Sequence, residues 1–185
     1  MSSLVSINLP VYNGETFIAE AIESALAQTY PHLELIVIDD GSTDSTPAII
    51  EDFDDPRIIK IRQKNRGEAA TRNVGLDMAK GEYVAFLDAD DLYLPKALAD
   101  LFAYLDAHPE MAVVFSDGYI CDENAKPLMR LSEHRPGIHT GFILEPLVLS
   151  ASVITVPVCT MTRRSIIEYH GVCFEEQIRK NHGTH

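Results

Sequence analysis

Three short segments carry side chains able to do chemistry. Asp88-Ala89-Asp90-Asp91 places three carboxylates in close succession, and such like charges repel unless something positive sits among them. Asp88 and Asp90 stand two apart at a predicted strand end. In extended geometry both would point the same way and share one hard divalent cation, Mg2+ or Mn2+. An ion held by one or two carboxylates completes its octahedron with water and substrate phosphates, which implies a nucleotide diphosphate ligand. The same cluster also reads as an ordinary turn and cap ahead of Pro95.

The second segment is Asp39-Asp40-Gly41-Ser42-Thr43-Asp44. A carboxylate at a strand end can accept a hydrogen bond from a base or ribose and so select a nucleoside; the same residues also make a good turn and N-cap signal. Tyr12 offers a ring that could stack on a base, or ordinary packing beside a core. In the third segment, Asn65 to Asn73, Gly67 opens a predicted helix and Arg72 lies within it. Arg72 can neutralise a phosphate or form a structural salt bridge. His182 and His185 make an H-x-x-H, but the tail of a chain is poor scaffolding for a metal.

The elements that must position these residues follow from periodicity. Val5, Ile7 and Leu9 alternate with Ser6 and Asn8, which predicts a strand that Pro10 ends. From Glu15 onward Phe17, Ile18, Ala21, Ile22, Ala25 and Leu26 recur at helical spacing. Leu33 to Ile38 is an apolar run suited to a buried parallel strand. Further helices are predicted near Thr46–Phe53, Gly67–Ala79 and Pro95–Ala107, with strands at Ile58–Ile61, Tyr83–Leu87 and Ala112–Phe115. Strands alternating with helices predict an α/β fold with a doubly wound, mostly parallel sheet and helices on both faces. In such sheets ligands bind beyond the carboxyl ends of the strands. Segments starting at Pro10, Asp39 and Asp88 would therefore converge on one edge. Beyond Ser116 the pattern is less regular, with a hairpin expected around Asp122–Lys126.

Composition narrows the classes. The 185 residues include 15 Lys+Arg against 28 Asp+Glu, a net charge of −13, which repels a phosphate backbone and excludes nucleic acid as a partner. Cys121, Cys159 and Cys173 have neither framework nor zinc spacing, which fits a reducing compartment. The start shows no signal peptide. Gly141 to Cys159 is nearly as long as a membrane span, but Glu145, Pro146 and Pro157 make it core or an interfacial patch.

Taken in order, Pro-Val-Tyr-Asn-Gly-Glu, Asp-Asp-Gly-Ser-Thr-Asp, Asn-x-Gly with Ala-x-Arg-Asn, and Phe-Leu-Asp-Ala-Asp-Asp resemble the family 2 glycosyltransferases over Val5 to about Ser116. These are inverting, nucleotide-sugar-dependent enzymes with a GT-A, Rossmann-like fold. The resemblance implies that Pro10, Val11, Tyr12 and Glu15 belong to the donor pocket, that Asp40 reads the base, and that Arg72 lies near the donor. Asp88-Ala89-Asp90 looks like the family's D-x-D motif, with Asp90 the direct metal ligand and Asp88 nearer the ribose or metal-bound water. The implied reaction is attack by an acceptor hydroxyl on the anomeric carbon, with inversion and release of a nucleoside diphosphate, most commonly UDP.

The acceptor would be a glycan or lipid-linked glycan of surface polysaccharide biosynthesis. The enzyme would then be cytoplasmic or peripheral to the inner face of the membrane. The family's base is an acidic residue, often in a Glu-Asp pair, after a segment like Gly171 to Glu176. No such pair follows here, so Asp117, Glu175 and Glu176 are substitutes, or the 185 residues are a truncated core. The expected organisation is one domain, with a donor half over about 1–116 and an incomplete acceptor side over 117–185. A non-catalytic nucleotide-sugar-binding module and a nucleotidyltransferase are the competing classes. The latter would need a basic, glycine-rich loop after the first strand, and Pro10 to Gly14 carries no Lys or Arg.

Overall fold

Apolar side chains on both faces of its strands oblige the sheet to be covered twice, and the chain supplies helices for both. A computed structural model describes residues 3–134 and 157–176. In chain order the elements are β1 (Val5–Val11), α1 (Ile18–Leu26), β2 (Leu33–Asp39), α2 (Thr46–Glu51), β3 (Ile58–Arg62), α3 (Glu68–Met78) and β4 (Tyr83–Phe86). There follow α4 (Ala97–Ala107), β5 (Val113–Phe115), β6 (Tyr119–Cys121), β7 (Pro127–Arg130), α5 (Leu131–His134), β8 (Thr160–Arg163) and α6 (Arg164–His170). Six strands form one sheet in the order β3-β2-β1-β4-β8-β5, and β6 and β7 form a separate antiparallel pair. The α/β fold and the mostly parallel sheet match the sequence reading.

Alternation in β2 shows how the faces divide. Leu35 and Val37 join the larger core with Val5, Ile7, Leu9, Ile18, Ile22 and Leu98. Ile36 and Ile38 point the other way, into a smaller core with Val84 and Phe86 that Val74 of α3 and Ile167 of α6 partly cover. β1 alternates as predicted, yet all seven of its residues are buried, so its polar side chains need partners inside the protein. Ser6 Oγ donates to Glu34 Oε1 at 2.5 Å and accepts the Gly81 amide at 2.8 Å. Asn8 Nδ2 donates to the Arg72 carbonyl at 2.7 Å. Gly75 makes that contact possible: a Cβ there would stand 2.2 Å from Asn8 Oδ1.

Two details depart from the sequence reading. The first helix begins at Ile18, because residues 15–17 form a turn closed onto the Gly14 carbonyl, and Phe17 is 40% exposed. The parallel run is interrupted by β8, which enters antiparallel between β4 and β5. Arg163 at its end pins it there, donating to the Met111 and Leu105 carbonyls and to the Tyr83 hydroxyl. Within the apolar stretch read as core or an interfacial patch, Val158 is buried in the core; the rest of it through Val156, like His182 and His185, lies outside the described residues. No helix among the described residues is long and apolar enough to cross a membrane.

Candidate functional site

β1 lies between β2 and β4 and runs parallel to both, so the carboxyl ends of all three open on one edge. The loops leaving β1 and β2 are stapled together. Asn13 N donates to Ser42 Oγ at 2.8 Å and Gly14 N to Thr46 Oγ1 at 2.9 Å. In return Thr43 N donates to Asn13 Oδ1 at 2.8 Å, and Ser45 N to Glu15 Oε2 at 2.8 Å. Glu15 therefore builds the loop pair, with its carboxylate spent on a backbone amide. Val11 is buried, whereas Tyr12 stands 52% exposed with its ring at the rim. Pro10 and Val11 pair with Ile38 and Asp39 in register. Ala89 stands beside Gly14, 3.6 Å from the place a Cβ would take.

Asp40 is buried and committed. Its Oδ1 accepts from Gln63 Nε2 at 2.7 Å and from Arg66 N at 2.9 Å, and its Oδ2 from Gly67 N at 2.8 Å. This carboxylate thus holds residues 63–67 as a wall leading into α3. Gly41 lets the wall lie close: its φ is 78°, and a Cβ would stand 2.9 Å from Asn65 N. A carboxylate has about four lone-pair sites, and three are taken.

Arg72 and Asp88 meet across the edge at 2.5 Å. The guanidinium also pairs with Glu68 on the same helix and lies 5.5 Å over the Phe174 ring. Burial opposes its charge, but Asp88 and then Glu68 outweigh that and raise its pKa. Of the two readings of Arg72, the structure shows the structural ion pair. Asp88 to Asp91 is not extended, as the shared-cation geometry assumed. β4 ends at Phe86, and the four residues form a turn in which Asp91 N donates to the Asp88 carbonyl at 3.1 Å. The paired orientation from strand alternation therefore does not hold: Asp88 turns inward to Arg72, while Asp90 is exposed.

Asp91 reports the electrostatic state of this turn. Its rim is exposed, but loss of water around its carboxyl, reinforced by the charges of Asp90 and Asp88, pushes its pKa up to about 6. Among the described residues no group of three His, Cys, Asp or Glu side chains forms a ready metal cage. The exposed carboxylates of Asp90 and Asp91 offer hard oxygens of the kind that Mg2+ or Mn2+ would take together with water and phosphate.

The three base candidates do not gather at one point. Asp117 closes the β6–β7 hairpin, accepting Ser132 Oγ at 2.7 Å and Gly118 N at 2.9 Å; burial opposes these bonds, which nonetheless lower its pKa. Glu175 is exposed. Glu176 accepts from Asn73 Nδ2 at 3.1 Å and lies 3.8 Å from Arg66. The sequence reading gave no role to Gln63, Asn73 or Phe174. Asn73 stood within the quoted Ala-x-Arg-Asn and Phe174 within the segment Gly171 to Glu176, whereas Gln63 had no visible signal.

With this geometry in hand, comparison with known proteins is informative. The profile of Glycosyl transferase family 2 matches residues 6–171. An uncharacterized glycosyltransferase of Rickettsia typhi is 34% identical over 98% of this chain and 56% of its own length. The Escherichia coli UDP-Glc:alpha-D-GlcNAc-diphosphoundecaprenol beta-1,3-glucosyltransferase WfaP is 35% identical over 82% of this chain and 59% of its own. The chain thus spans about half the length of the curated relatives it matches. Among solved structures, a crystal structure of Staphylococcus aureus TarS superposes with a TM-score of 0.77 at 26% identity, covering 96% of this chain and 52% of that one. Pyrobaculum calidifontis mannosyltransferase PcManGT, in complex with GDP-Man and Mn2+, shares the fold with a TM-score of 0.71 at 24% identity, over 96% and 49%. The chain belongs to glycosyl transferase family 2.

Proposed function

We propose that this chain carries the donor site of a glycosyltransferase that takes a UDP-sugar and transfers the sugar with inversion to a glycan or lipid-linked acceptor. The observation that carries the reading is the Arg72–Asp88 pair at the carboxyl edge, beside the loop that Asp40 pins. A cation and an anion held there, next to an exposed acidic turn, suit a diphosphate accompanied by a metal ion. Family membership, the UDP-Glc named for WfaP and the UDP and UDP-GlcNAc named for complexes of TarS support a uridine donor.

Asp90 and Asp88 would hold Mg2+ or Mn2+, which offsets charge developing on a departing diphosphate; the Mn2+ named for PcManGT supports this. The chain's own residues do the rest. Arg72 brings a permanent positive charge to the same edge, and its pairing with Asp88 keeps that charge aimed without rearrangement. Tyr12 offers an exposed ring for stacking a base, and the Asp40-pinned wall closes the nucleoside side with backbone amides in fixed positions. Asp117 and Glu176 are not offered as general base, because each is engaged by protein donors. The domain reading remains one unit with the donor side over about 1–116. A surface polysaccharide role and action at the inner membrane face are part of the same proposal.

Thermal unfolding with UDP, TDP, GDP and ADP, each with and without Mn2+, tests it. UDP with Mn2+ should raise the midpoint, by the equivalent of about 2.7 kcal/mol at a hundredfold excess over Kd. A chain that responds to none of the four contradicts the reading.

A further inference from the structure

The segment Val172–Glu176 returns to α3 across the chain and touches both sides of the edge just described. Asn73 follows Arg72 on α3, and its amide grips the Phe174 backbone at two points. Phe174 N donates to Asn73 Oδ1 at 2.8 Å, and Asn73 Nδ2 donates to the Phe174 carbonyl at 3.0 Å, between residues 101 apart in sequence. Two bonds fix the orientation of Phe174 as well as its position. Its ring then meets Phe86, the last residue of β4, edge-on at 5.5 Å and 78°, and presents its face to the Arg72 guanidinium at 5.5 Å. Glu176 ties the same segment to Arg66, whose amide Asp40 holds.

Arg72 gives this arrangement a purpose. Its two terminal nitrogens are taken by Glu68 and Asp88, while Nε is buried without a hydrogen-bond partner. A desolvated cation with an unused N–H needs another source of stabilisation, and an aromatic face within 6 Å supplies it. Asn8 holds the backbone of Arg72 from below, so Phe174 is the contact by which the C-terminal segment bears on the guanidinium.

We propose that Asn73 and Phe174 are positioning residues of the donor site: Asn73 clasps the Phe174 backbone, and the Phe174 ring holds the Arg72 guanidinium in line with Asp88. The proposal rests on the donor-site reading above and goes beyond it, because it makes donor binding depend on a segment 101 residues further along the chain than the helix position it grips.

The test compares Phe174→Leu, which fills space without a π face, with Phe174→Tyr, which keeps the ring. Calorimetry with UDP and Mn2+ should show binding weakened about fivefold in Phe174→Leu and about unchanged in Phe174→Tyr. Asn73→Asp, which keeps the acceptor but loses the donor and faces Glu176, should weaken binding comparably. Unfolding midpoints without ligand are recorded for each; if Asn73→Asp does not fold, the Phe174 pair decides. Wild-type affinity in Phe174→Leu, or an equal loss in Phe174→Tyr, overturns the proposal. Should the wild type bind no UDP, the donor reading falls, and the Arg72 Nε–H resonance of the free protein decides the clasp by itself. A slowly exchanging signal in wild type that is lost in Phe174→Leu but kept in Phe174→Tyr supports it, and an identical signal in all three overturns it.

Discussion

The two sides of the strand edge are built on opposite principles. On the β1–β2–β3 side nearly every polar group is spent on another part of the protein: Asn13, Glu15, Ser42 and Thr46 interlock, and Asp40 takes three donors. On the β4 side the turn Asp88 to Asp91 leaves two acids at the surface, with Arg72 committed to Asp88. A region whose hydrogen bonds close on themselves is preformed and should keep its shape without ligand. On the other side, loss of water and the neighbouring charges of Asp90 and Asp88 raise the pKa of Asp91. One side thus carries the shape of the edge and the other its exposed negative charge, and under the proposed function a cation would act on the second alone.

Five substitutions probe that division, beginning with the largest effect. Asp40→Ala leaves the Arg66 and Gly67 backbone amides and Gln63 without their acceptor, and should cost about 1–3 kcal/mol of stability as well as nucleotide affinity. Chemical denaturation measures the first and calorimetry the second; loss of affinity alone would mean the wall does not depend on Asp40. Gly75→Ala drives a methyl group into the buried Asn8 amide and should cost about 1–3 kcal/mol by the same denaturation measurement. Glu15→Gln removes the charge from the bond to Ser45 N on the exposed loop pair, and should cost about 0.5–1 kcal/mol.

On the acidic side the sign reverses. Asp90→Asn should leave the metal-free protein as stable as before or slightly more so, since it relieves repulsion, while abolishing the response to Mn2+. The pH dependence sharpens this contrast. The folded Asp91 carboxyl, at about 6, lies above its ordinary value near 3.8. The folded state therefore binds this proton more tightly. The stability it contributes is full below pH 3.8 and is lost as pH rises through 6. Melting of the metal-free chain should fall between pH 5 and pH 7.5 more steeply in wild type than in Asp91→Asn, and a parallel fall in both would show that Asp91 carries no such charge burden.

The local part of this molecule was legible in its residues. Period-2 alternation in Val5–Leu9, the apolar run at Leu33–Ile38 and helical spacing in Leu98–Leu105 each mark an element that forms, although β1 runs on through Pro10 to Val11 instead of ending there, because it is buried throughout and stays paired with β2 as far as Asp39. β8 escaped because Thr160–Arg163 is four residues long, adjoins an apolar stretch that masks its alternation, and gains its place from pairing with β4 and β5 rather than from local preference. In the site, the types and order of the acids were readable, but their orientation was not. A turn after Phe86 undoes the strand alternation that would have aligned Asp88 with Asp90. Asp40 and Glu15 were read as facing a ligand, yet backbone amides brought close by the fold claim their carboxylates. The Asn73–Phe174 grip joins residues 101 apart, a separation no local pattern encodes.

The most direct test of the account is calorimetric titration of UDP into the wild-type chain and Asp90→Ala, each with Mn2+ and with a chelator. The account predicts binding in wild type only when Mn2+ is present, and none in Asp90→Ala under either condition, with both proteins unfolding at similar temperatures. Equal UDP affinity in all four titrations would contradict it, because the acidic side would then contribute nothing that a cation completes.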